Sequence, residues 1–515
     1  MVITDDEIDL RPFLRSVIGV VKWHILQLVL YFQLPYVWDY DYAYGTLILM
    51  LAYTLLYIVY GEYIHWDIGW RWVLIPYLLY MCIAVALYFL FDNFVGSICF
   101  CGILPLYGLT CLVSIKLSNK YLKRLGRWCR CGNMIRNTAV VLILVLLKLI
   151  SSAWLCEKYS TGDGKKNDII ERRNYLVEKL VTTPQGVLEE MPSSIGVQFQ
   201  GEWALYLCSM FTASLVNISR LYPETRTENL GYIQRLIEIV KSREIRYYDT
   251  LRWGKDALNS LDGEDSHVSY LSHLAWMICG YKEIGGDCRY DDLLEDVCKA
   301  MNRRLLESKG FNLPTYPGEP IYIPDMLVAI VALDKYSNLH NGKYKATVDR
   351  WVERARKDWV DKKSGLLVSF LKDDGTMYDD APIKGAYSAL NCYYLTLIDG
   401  DFAREQYIRL KSLFLKNGLL CGLKEYWDRS FYFGFDIDAG PIVYELSPSG
   451  TAFLVGSTVF YNDSMISRRL LRTAEIAGHT FKIANKRHYL LAEFALVGEA
   501  IMLAMRTNDA ENENW

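Results

Sequence analysis

Long apolar runs dominate the first third of the chain. Four of them are long enough for a helix to cross a bilayer, and they lie at residues 44–60, 70–91, 95–115 and 138–156. A shorter run at 18–32 is interrupted by Lys22 and His24, so it fits either a further span or a helix lying in the membrane interface. We favour the span. The pattern then predicts a transmembrane domain of about five helices at residues 1–157.

Charges between these runs predict the orientation of the membrane domain. Seven Lys and Arg residues crowd the loop 116–136, whereas the connections 35–43 and 92–93 carry none. Basic loops stay in the cytoplasm, so we expect a cytoplasmic N-terminus and an extracytoplasmic C-terminal domain, on the periplasmic side in a bacterium. The acidic start is unlike a cleavable signal peptide. The lipid bilayer is therefore an expected partner.

Helical periodicity replaces the apolar runs after residue 158. Residues 158–180 form a charged connector that turns helical near 168, and strand signals are confined to links such as 365–370. Apolar positions three and four residues apart predict helices at 202–221, 228–241, 268–284, 290–307, 322–337, 345–360, 384–398, 402–416, 449–461, 464–477 and 487–505.

The links between these helices alternate in character. Short polar turns, as at 285–287 and 338–342, alternate with long aromatic links, as at 247–266 and 311–323. Helix pairs whose long loops gather at one end form an α/α toroid. We therefore predict an all-α protein: multi-span transmembrane helices, then an (α/α)6 barrel at 158–515. Its site should lie at the end bearing the long links.

Cysteine usage and charge narrow the chemistry. The thirteen cysteines lack the spacing of a disulfide framework, and Cys129-Arg-Cys131 has no second pair that would complete a metal site. We expect no metal and no cofactor. The net charge of −3 does not indicate a partner, because membrane topology already explains the basic loop. We expect no nucleic-acid partner.

Three residues on predicted inner helices are candidates for proton transfer. They are His273, Asp325 and Tyr387. A histidine and a carboxylate from neighbouring inner helices can act as acid and base near neutral pH. The structural alternatives are a hydrogen-bonded core histidine for His273 and a helix-capping carboxylate for Asp325.

Other polar and aromatic residues of the predicted rim are candidates for substrate binding. They are Trp253, Tyr270, Tyr316, Glu319, Tyr322, Asp436, Asp438 and Glu445. Two carboxylates at unequal depth suit acid/base work, and Glu319 shares a short link with Asp325. The segment Asp436-Ile-Asp438 matches no complete calcium loop. A ring of tyrosines holds a sugar, a terpene or a carbocation equally well.

The middle of the C-terminal part resembles the linalool dehydratase/isomerase family. The resemblance rests on Tyr270-Leu-Ser-His-Leu-Ala-Trp-Met-Ile-Cys-Gly280, Arg289-Tyr290, the loop leading to Asp325, residues 328–334, Ile383-Lys-Gly-Ala-Tyr387 and Asp436-Ile-Asp-Ala-Gly440. It covers roughly 250 residues and is distributed over them.

This resemblance implies an α/α toroid with cofactor-free acid/base chemistry on small terpene alcohols. It matches the family's cavity histidine to His273 and a tyrosine to Tyr387, while the family's two cysteines fall at Tyr316 and Asp325. The family's N-terminal acidic residue has no evident counterpart in the sequence. An aspartate can still protonate a leaving hydroxyl or accept a proton, so hydration, dehydration and isomerisation stay open.

Three functional hypotheses follow. The first is a membrane-anchored hydro-lyase or isomerase acting on a small alcohol, terpenoid or lipid-like substrate. The alternative is a carbohydrate-active (α/α)6 enzyme of the glycoside hydrolase or lyase type. The third is a non-catalytic binding protein on the same fold. Each expects a small-molecule partner, and an oligomer is compatible with all of them.

Overall fold

The computed structural model describes residues 133–159, 162–191, 197–380, 382–436, 438–493 and 495–509. Contacts divide the chain into two compact units, Met1–Leu155 and Cys156–Trp515. The spans predicted at 18–32, 44–60, 70–91 and 95–115, and the basic loop up to residue 132, lie outside the described residues.

Helix α1 (Asn133–Lys158) contains the last predicted span, 138–156. Four large apolar side chains on it are exposed, namely Leu146, Leu147, Ile150 and Trp154. Within the described ranges, one helical stretch, Phe199–Leu221, has the length and composition of a membrane span, and most of it is buried. A buried core helix passes the same test.

The second unit is mainly helical. Its helices are, in chain order, α2 (Gly162–Leu180), α3 (Pro184–Glu189), α4 (Val197–Leu221), α5 (Arg226–Lys241), α6 (Arg243–Trp253), α7 (Val268–Glu283), α8 (Asp291–Glu307), α9 (Ile323–Leu339), α10 (Lys345–Asp358), α11 (Gly385–Thr396), α12 (Gly400–Phe414), α13 (Pro448–Phe460), α14 (Ser464–Gly478) and α15 (Leu496–Arg506).

Six of these helices close into a ring. Helix α4 packs against α7, α7 against α9, α9 against α11, α11 against α13, α13 against α15, and α15 against α4. Every residue of α11 is buried, as expected for a helix with neighbours on all sides. Helices α2, α5, α8, α10, α12 and α14 pack outside this ring. The all-α class and the pairing of inner with outer helices are therefore as the sequence predicted.

Short antiparallel hairpins decorate the links. The strands pair as β1 (Ile321–Tyr322) with β2 (Phe370–Leu371), β3 (Leu415–Asn417) with β4 (Cys421–Leu423), β5 (Phe433–Asp436) with β6 (Gly440–Val443), and β7 (Thr480–Ile483) with β8 (Lys486–Tyr489). The β1–β2 pair fixes the start of α9, and the β5–β6 hairpin precedes α13.

Two segments differ from the sequence prediction. Helix α6 lies where we predicted the start of a link; Ser242 accepts a hydrogen bond from the Ile245 amide at its first turn, and left-handed Gly254 ends it. The helix predicted at 487–505 begins only at Leu496. Residue Arg487 instead lies in β8, where it is buried in an ion pair with Asp168, and this pairing overrides the helical pattern.

A buried ion cluster joins α2 to α15 and β8. The Arg172 guanidinium contacts Asp168 at 3.2 Å and Glu499 at 2.6 Å, and Arg487 contacts Asp168 at 3.1 Å. Burial alone would raise the pKa of Asp168, but the guanidiniums of Arg172, Arg506 and Arg487 lower it to about 2. The cluster thus fastens the first outer helix to the last inner helix, across the seam where the ring closes.

Candidate active site

The inner helices bring polar side chains together near their N-terminal ends. Glu202 and Tyr206 lie in the first turns of α4, His273 in α7, Asp325 in the first turn of α9, and Tyr387 in the first turn of α11. Each of these four inner helices is followed by an outer helix that returns the chain, so these helix starts share one end of the ring. The links that lead into α7 and α9 lie at this same end, and a functional site there stays a prediction.

His273 is held by α4. Its Nδ1 lies 2.8 Å from the Ser209 Oγ, and the Ser209 hydroxyl donates to the Tyr206 carbonyl at 2.9 Å. Because that hydroxyl has one proton, Nδ1–H must donate to Ser209, which leaves Nε2 as an acceptor. Burial lowers the pKa of His273 to about 3, so the imidazole is neutral at physiological pH.

Two carboxyl groups of different proton affinity, Glu202 on α4 and Asp325 on α9, lie close enough for the charge of one to act on the other. Burial, and then the charge of Asp325, raise the pKa of Glu202 to about 8. Burial raises the pKa of Asp325 to about 6, against a hydrogen bond that Thr315 Oγ1 donates at 2.8 Å. Asp325 ionises at lower pH than Glu202, so Glu202 is still neutral when Asp325 becomes charged. The negative charge of Asp325 therefore raises the pKa of Glu202, whereas neutral Glu202 does not affect Asp325.

Neither carboxyl group is sealed from solvent. Both Glu202 and Asp325 keep partly accessible side chains although protein surrounds them closely enough to shift their pKa values. The Tyr316 hydroxyl lies beside Glu202, and the Arg252 guanidinium stacks on the Tyr316 ring at 4.4 Å. Both carboxyl groups therefore retain some exposure although the ring surrounds them.

Aromatic rings connect the proton-transfer candidates. Tyr206 lies 5.5 Å from the His273 ring, and Tyr322 lies 5.5 Å from Tyr387. Burial, and then the neighbouring Tyr387, Asp438 and Asp325, raise the pKa of the Tyr322 hydroxyl. The Tyr387 hydroxyl donates a short hydrogen bond to Asp438. These contacts place His273, Asp325 and Tyr387 around one interior.

Several buried polar atoms around this interior lack a hydrogen bond of good geometry within the described chain. They belong to Tyr206, Ser272, Tyr316, Ser369, Ser388, Asn391 and Tyr394, and in Asn391 both amide atoms are affected. The Tyr206 and Tyr394 hydroxyls adjoin each other and Asp325. A buried polar group without a partner costs about 1–3 kcal/mol, and the Tyr206, Tyr316 and Tyr394 hydroxyls are the members of this set that lie beside the carboxyl pair.

Six of the residues predicted from sequence lie in this region: His273, Asp325, Tyr387, Tyr316, Tyr322 and Asp438. The structural alternative for His273, a hydrogen-bonded buried histidine, also describes its bond to Ser209. Glu202 was missed by the sequence reasoning. The sequence feature that could have identified it is a carboxylate in an apolar helix. Glu202 precedes Tyr206 by four residues and Ser209 by seven, which places all three on one helical face.

The other predicted binding residues have structural or peripheral placements. Tyr270 is fully buried and donates to the Val240 carbonyl at 3.1 Å, so it serves the core instead of binding substrate. Glu319 pairs with Arg252 at 3.3 Å, where nearly half of its side chain is exposed. Trp253 packs 5.2 Å from the His267 ring, outside the carboxyl pair.

Two acidic residues of the β5–β6 region are engaged by lysines. Asp436 contacts Lys384 at 2.6 Å and accepts hydrogen bonds from backbone amides of the hairpin turn. Glu445 pairs with Lys416 at 2.8 Å. The sequence could not reveal these lysine partners, which neutralise both carboxylates. The binding role predicted for Asp436 and Glu445 stays a prediction.

In the part of the chain that the structure describes, no three His, Cys, Asp or Glu side chains are grouped to hold a metal ion. The carboxyl pair lies beside tyrosines and a neutral histidine. The chemistry that this arrangement can perform is proton donation and acceptance by the side chains themselves.

Comparison with solved structures finds similarities that include two hydrolases. No protein-family model and no curated protein matches the chain. A glycoside hydrolase of family 105 from C. acetobutylicum ATCC 824 is 10% identical, with a TM-score of 0.42, over 60% of this chain and 94% of that one. An unsaturated glucuronyl hydrolase specific for heparin is 12% identical, with a TM-score of 0.41, over 60% and 87%. Neither similarity bears on the activity or substrate of this chain.

Proposed function

We propose that the ring of the second unit is an enzyme that uses cofactor-free acid/base chemistry on a polyhydroxylated small molecule, of which carbohydrates are the main class. The supporting observation is the pair Glu202 and Asp325, two accessible carboxyl groups with different proton affinities in one polar interior.

One carboxyl group of the pair can serve as the proton donor and the other as the proton acceptor. With a pKa of about 8, Glu202 is protonated at neutral pH, and with a pKa of about 6, Asp325 is ionised. A protonated carboxyl can donate to a leaving oxygen while a carboxylate activates a water molecule. The bare Nε2 of His273 adds a neutral acceptor nearby.

The lining favours a substrate that carries many hydroxyl groups. The hydroxyls of Tyr206, Tyr316 and Tyr394 lie beside Glu202 and Asp325, and an apolar ligand could not hydrogen-bond to them. Sugar hydroxyls can donate to them and accept from them.

The experiment is a turnover screen of the full-length chain against neutral and acidic oligosaccharides and aryl glycosides in ¹⁸O-water, read by mass spectrometry. Glu202→Gln and Asp325→Asn should each lower kcat/KM by about 10²–10⁴-fold. The matched control is Glu353→Gln, an exposed glutamate of outer helix α10, which should keep wild-type turnover. Wild-type rates in both site variants would refute the proposal.

A second candidate is hydration or dehydration of a small alcohol, as the resemblance to linalool dehydratase/isomerase implies. The observation that favours it is Glu202, which supplies an acidic residue on the first inner helix, beside Tyr316 and facing Asp325. These are the positions to which that family's two cysteines fall. Gas chromatography of tertiary and allylic alcohols incubated with the chain separates the candidates, since turnover of alcohols without turnover of glycosides would favour the lyase.

We also propose that the enzyme is anchored in a membrane with the ring on the extracytoplasmic side. The exposed apolar side chains of α1, including Leu146, Ile150 and Trp154, support an apolar environment for this helix. Alkaline phosphatase fused after Trp515 should be active, because it folds only outside the cytoplasm. An inactive fusion, together with an active cytoplasmic reporter at the same position, would show that the orientation is the opposite one.

A further inference from the structure

A second group of catalytic-type side chains lies away from the carboxyl pair. Asp249 is on α6, and Ser260 and His267 are in the link between α6 and α7. The His267 Nδ1 lies 2.6 Å from Asp249 Oδ2, and its Nε2 lies 3.2 Å from Ser260 Oγ. Asp249 and His267 are fully buried, whereas Ser260 is half-buried.

The order of these contacts fixes the roles of the imidazole nitrogens. A carboxylate accepts the Nδ1 proton, so Nε2 is the basic nitrogen and faces the serine oxygen. The Ser260 hydroxyl donates to the Asp256 carbonyl at 2.8 Å. Turning the hydroxyl proton about the Cβ–Oγ bond re-aims it from that carbonyl to Nε2 while the oxygen stays in place.

The backbone holds His267 in an unfavourable conformation. Its φ of 50° lies in the left-handed region, which costs a non-glycine residue about 1–3 kcal/mol and persists where surrounding contacts enforce it. The contacts here are Asp249 on one side of the ring and the Trp253 indole at 5.2 Å. The Trp253 Nε1 is buried without a hydrogen-bond partner in the described chain.

The turn that carries Ser260 is rigidly held. Arg304 donates to the carbonyls of Ser260 at 2.8 Å and Leu261 at 3.0 Å, and Arg303 donates to the Gly263 carbonyl at 2.8 Å. These bonds occupy the carbonyl oxygens of the turn. A nucleophile on a fixed turn, with its base oriented by a third group, is the arrangement that activates a serine.

We propose that Ser260, His267 and Asp249 form a nucleophilic site, distinct from the carboxyl pair, which hydrolyses carboxylic esters. Ser260 Oγ adds to the ester carbonyl as its proton passes to His267 Nε2. The tetrahedral intermediate collapses, the C–O bond to the alcohol breaks, and the alcohol leaves with that proton. Water then adds to the acyl-serine as its proton passes to Nε2, the bond between the acyl carbon and Ser260 Oγ breaks, and Nε2 returns the proton to Oγ, which releases the carboxylic acid and free Ser260. Asp249 is a positioning residue that acts through His267.

A purely structural reading of the same contacts is that His267 locks the link to α6. The two readings differ in the reactivity of one oxygen, because a locking serine is no more nucleophilic than any surface serine. Ser412 provides the matched comparison. It is exposed, and its hydroxyl donates to the Arg409 carbonyl at 2.8 Å, as Ser260 does to Asp256, without a histidine contact among the described residues.

The test is covalent labelling of the full-length chain with a fluorophosphonate, followed by peptide mass spectrometry and by hydrolysis of p-nitrophenyl acetate. The label should be on Ser260, vanish in Ser260→Ala, persist in Ser412→Ala and form at least about 100-fold more slowly in His267→Asn. Esterase turnover should follow the same order.

Melting curves identify any variant that fails to fold, and the wild-type labelling position decides the matter without variants. Absence of label on Ser260 in the wild-type chain, or equal labelling of Ser260 and Ser412, would overturn the proposal.

Discussion

The Glu202→Gln variant should become increasingly more stable than the wild type as the pH rises, although the same change removes the proposed proton donor. In the folded chain Glu202 has a pKa of about 8, against 4.5 for an ordinary glutamate. Above pH 4.5 the unfolded chain releases this proton while the folded chain keeps it. Ionisation therefore favours unfolding, and folded-state stability falls as pH rises toward 8. Glutamine has no proton to release and escapes this loss.

The magnitude follows from the separation of the two pKa values. Each pKa unit corresponds to about 1.4 kcal/mol, so the penalty in the wild-type chain grows by roughly 3 kcal/mol between about pH 5 and pH 7.5. The advantage of Glu202→Gln over the wild type should grow by that amount. Terms that do not depend on pH, such as the lost contact with Tyr316, cancel in this difference.

Urea unfolding followed by tryptophan fluorescence measures the effect in the full-length chain at both pH values. Glu353→Gln, on the exposed face of α10, is the control and should follow the wild type within about 0.5 kcal/mol. The reasoning is refuted if the difference between Glu202→Gln and the wild type is the same at both pH values, or if it falls as pH rises.

Three further predictions use the same site and its support. The pH profile of kcat/KM should be bell-shaped, falling below about pH 6 as Asp325 is protonated and above about pH 8 as Glu202 ionises; a profile flat across this range contradicts the acid/base assignment. Nitrogen NMR should show no titration of His273 from about pH 5 to 8, since burial lowers its pKa to about 3. Arg172→Met should destabilise the ring by about 3–5 kcal/mol in the urea assay, because Asp168 and Glu499 lose their buried partner.

Much of the helical framework could be predicted from the local pattern of apolar and polar residues. Inner helices such as α9 and α11 are apolar on nearly every side, and amphipathic outer helices such as α10 have one apolar stripe, so periodicity located both kinds. The hairpin β7–β8 was not readable. Arg487 in this hairpin is buried and donates to the Asp168 carboxylate on α2, more than three hundred residues away in sequence. No local pattern encodes such a partner.

The site divides in the same way. His273, Asp325 and Tyr387 could be named because each lies at a recognisable place in an apolar helix or at its start. Glu202 was not singled out, since its importance comes from the effect on its pKa of Asp325, a residue of another inner helix. The ion pairs of Asp436 and Glu445 could not be predicted for the same reason: their lysine partners come from other elements of the fold.

Closure of the inner ring determines how the molecule should come apart. In an open array of helix pairs the terminal pairs fray first, because each has one neighbour. Here α15 packs against both α13 and α4, so every inner helix has two neighbours and none is terminal. Loss of one pair exposes apolar faces on both sides of the gap. Partly unfolded states should therefore be rare, and the interior that holds the carboxyl pair should persist or vanish as a whole.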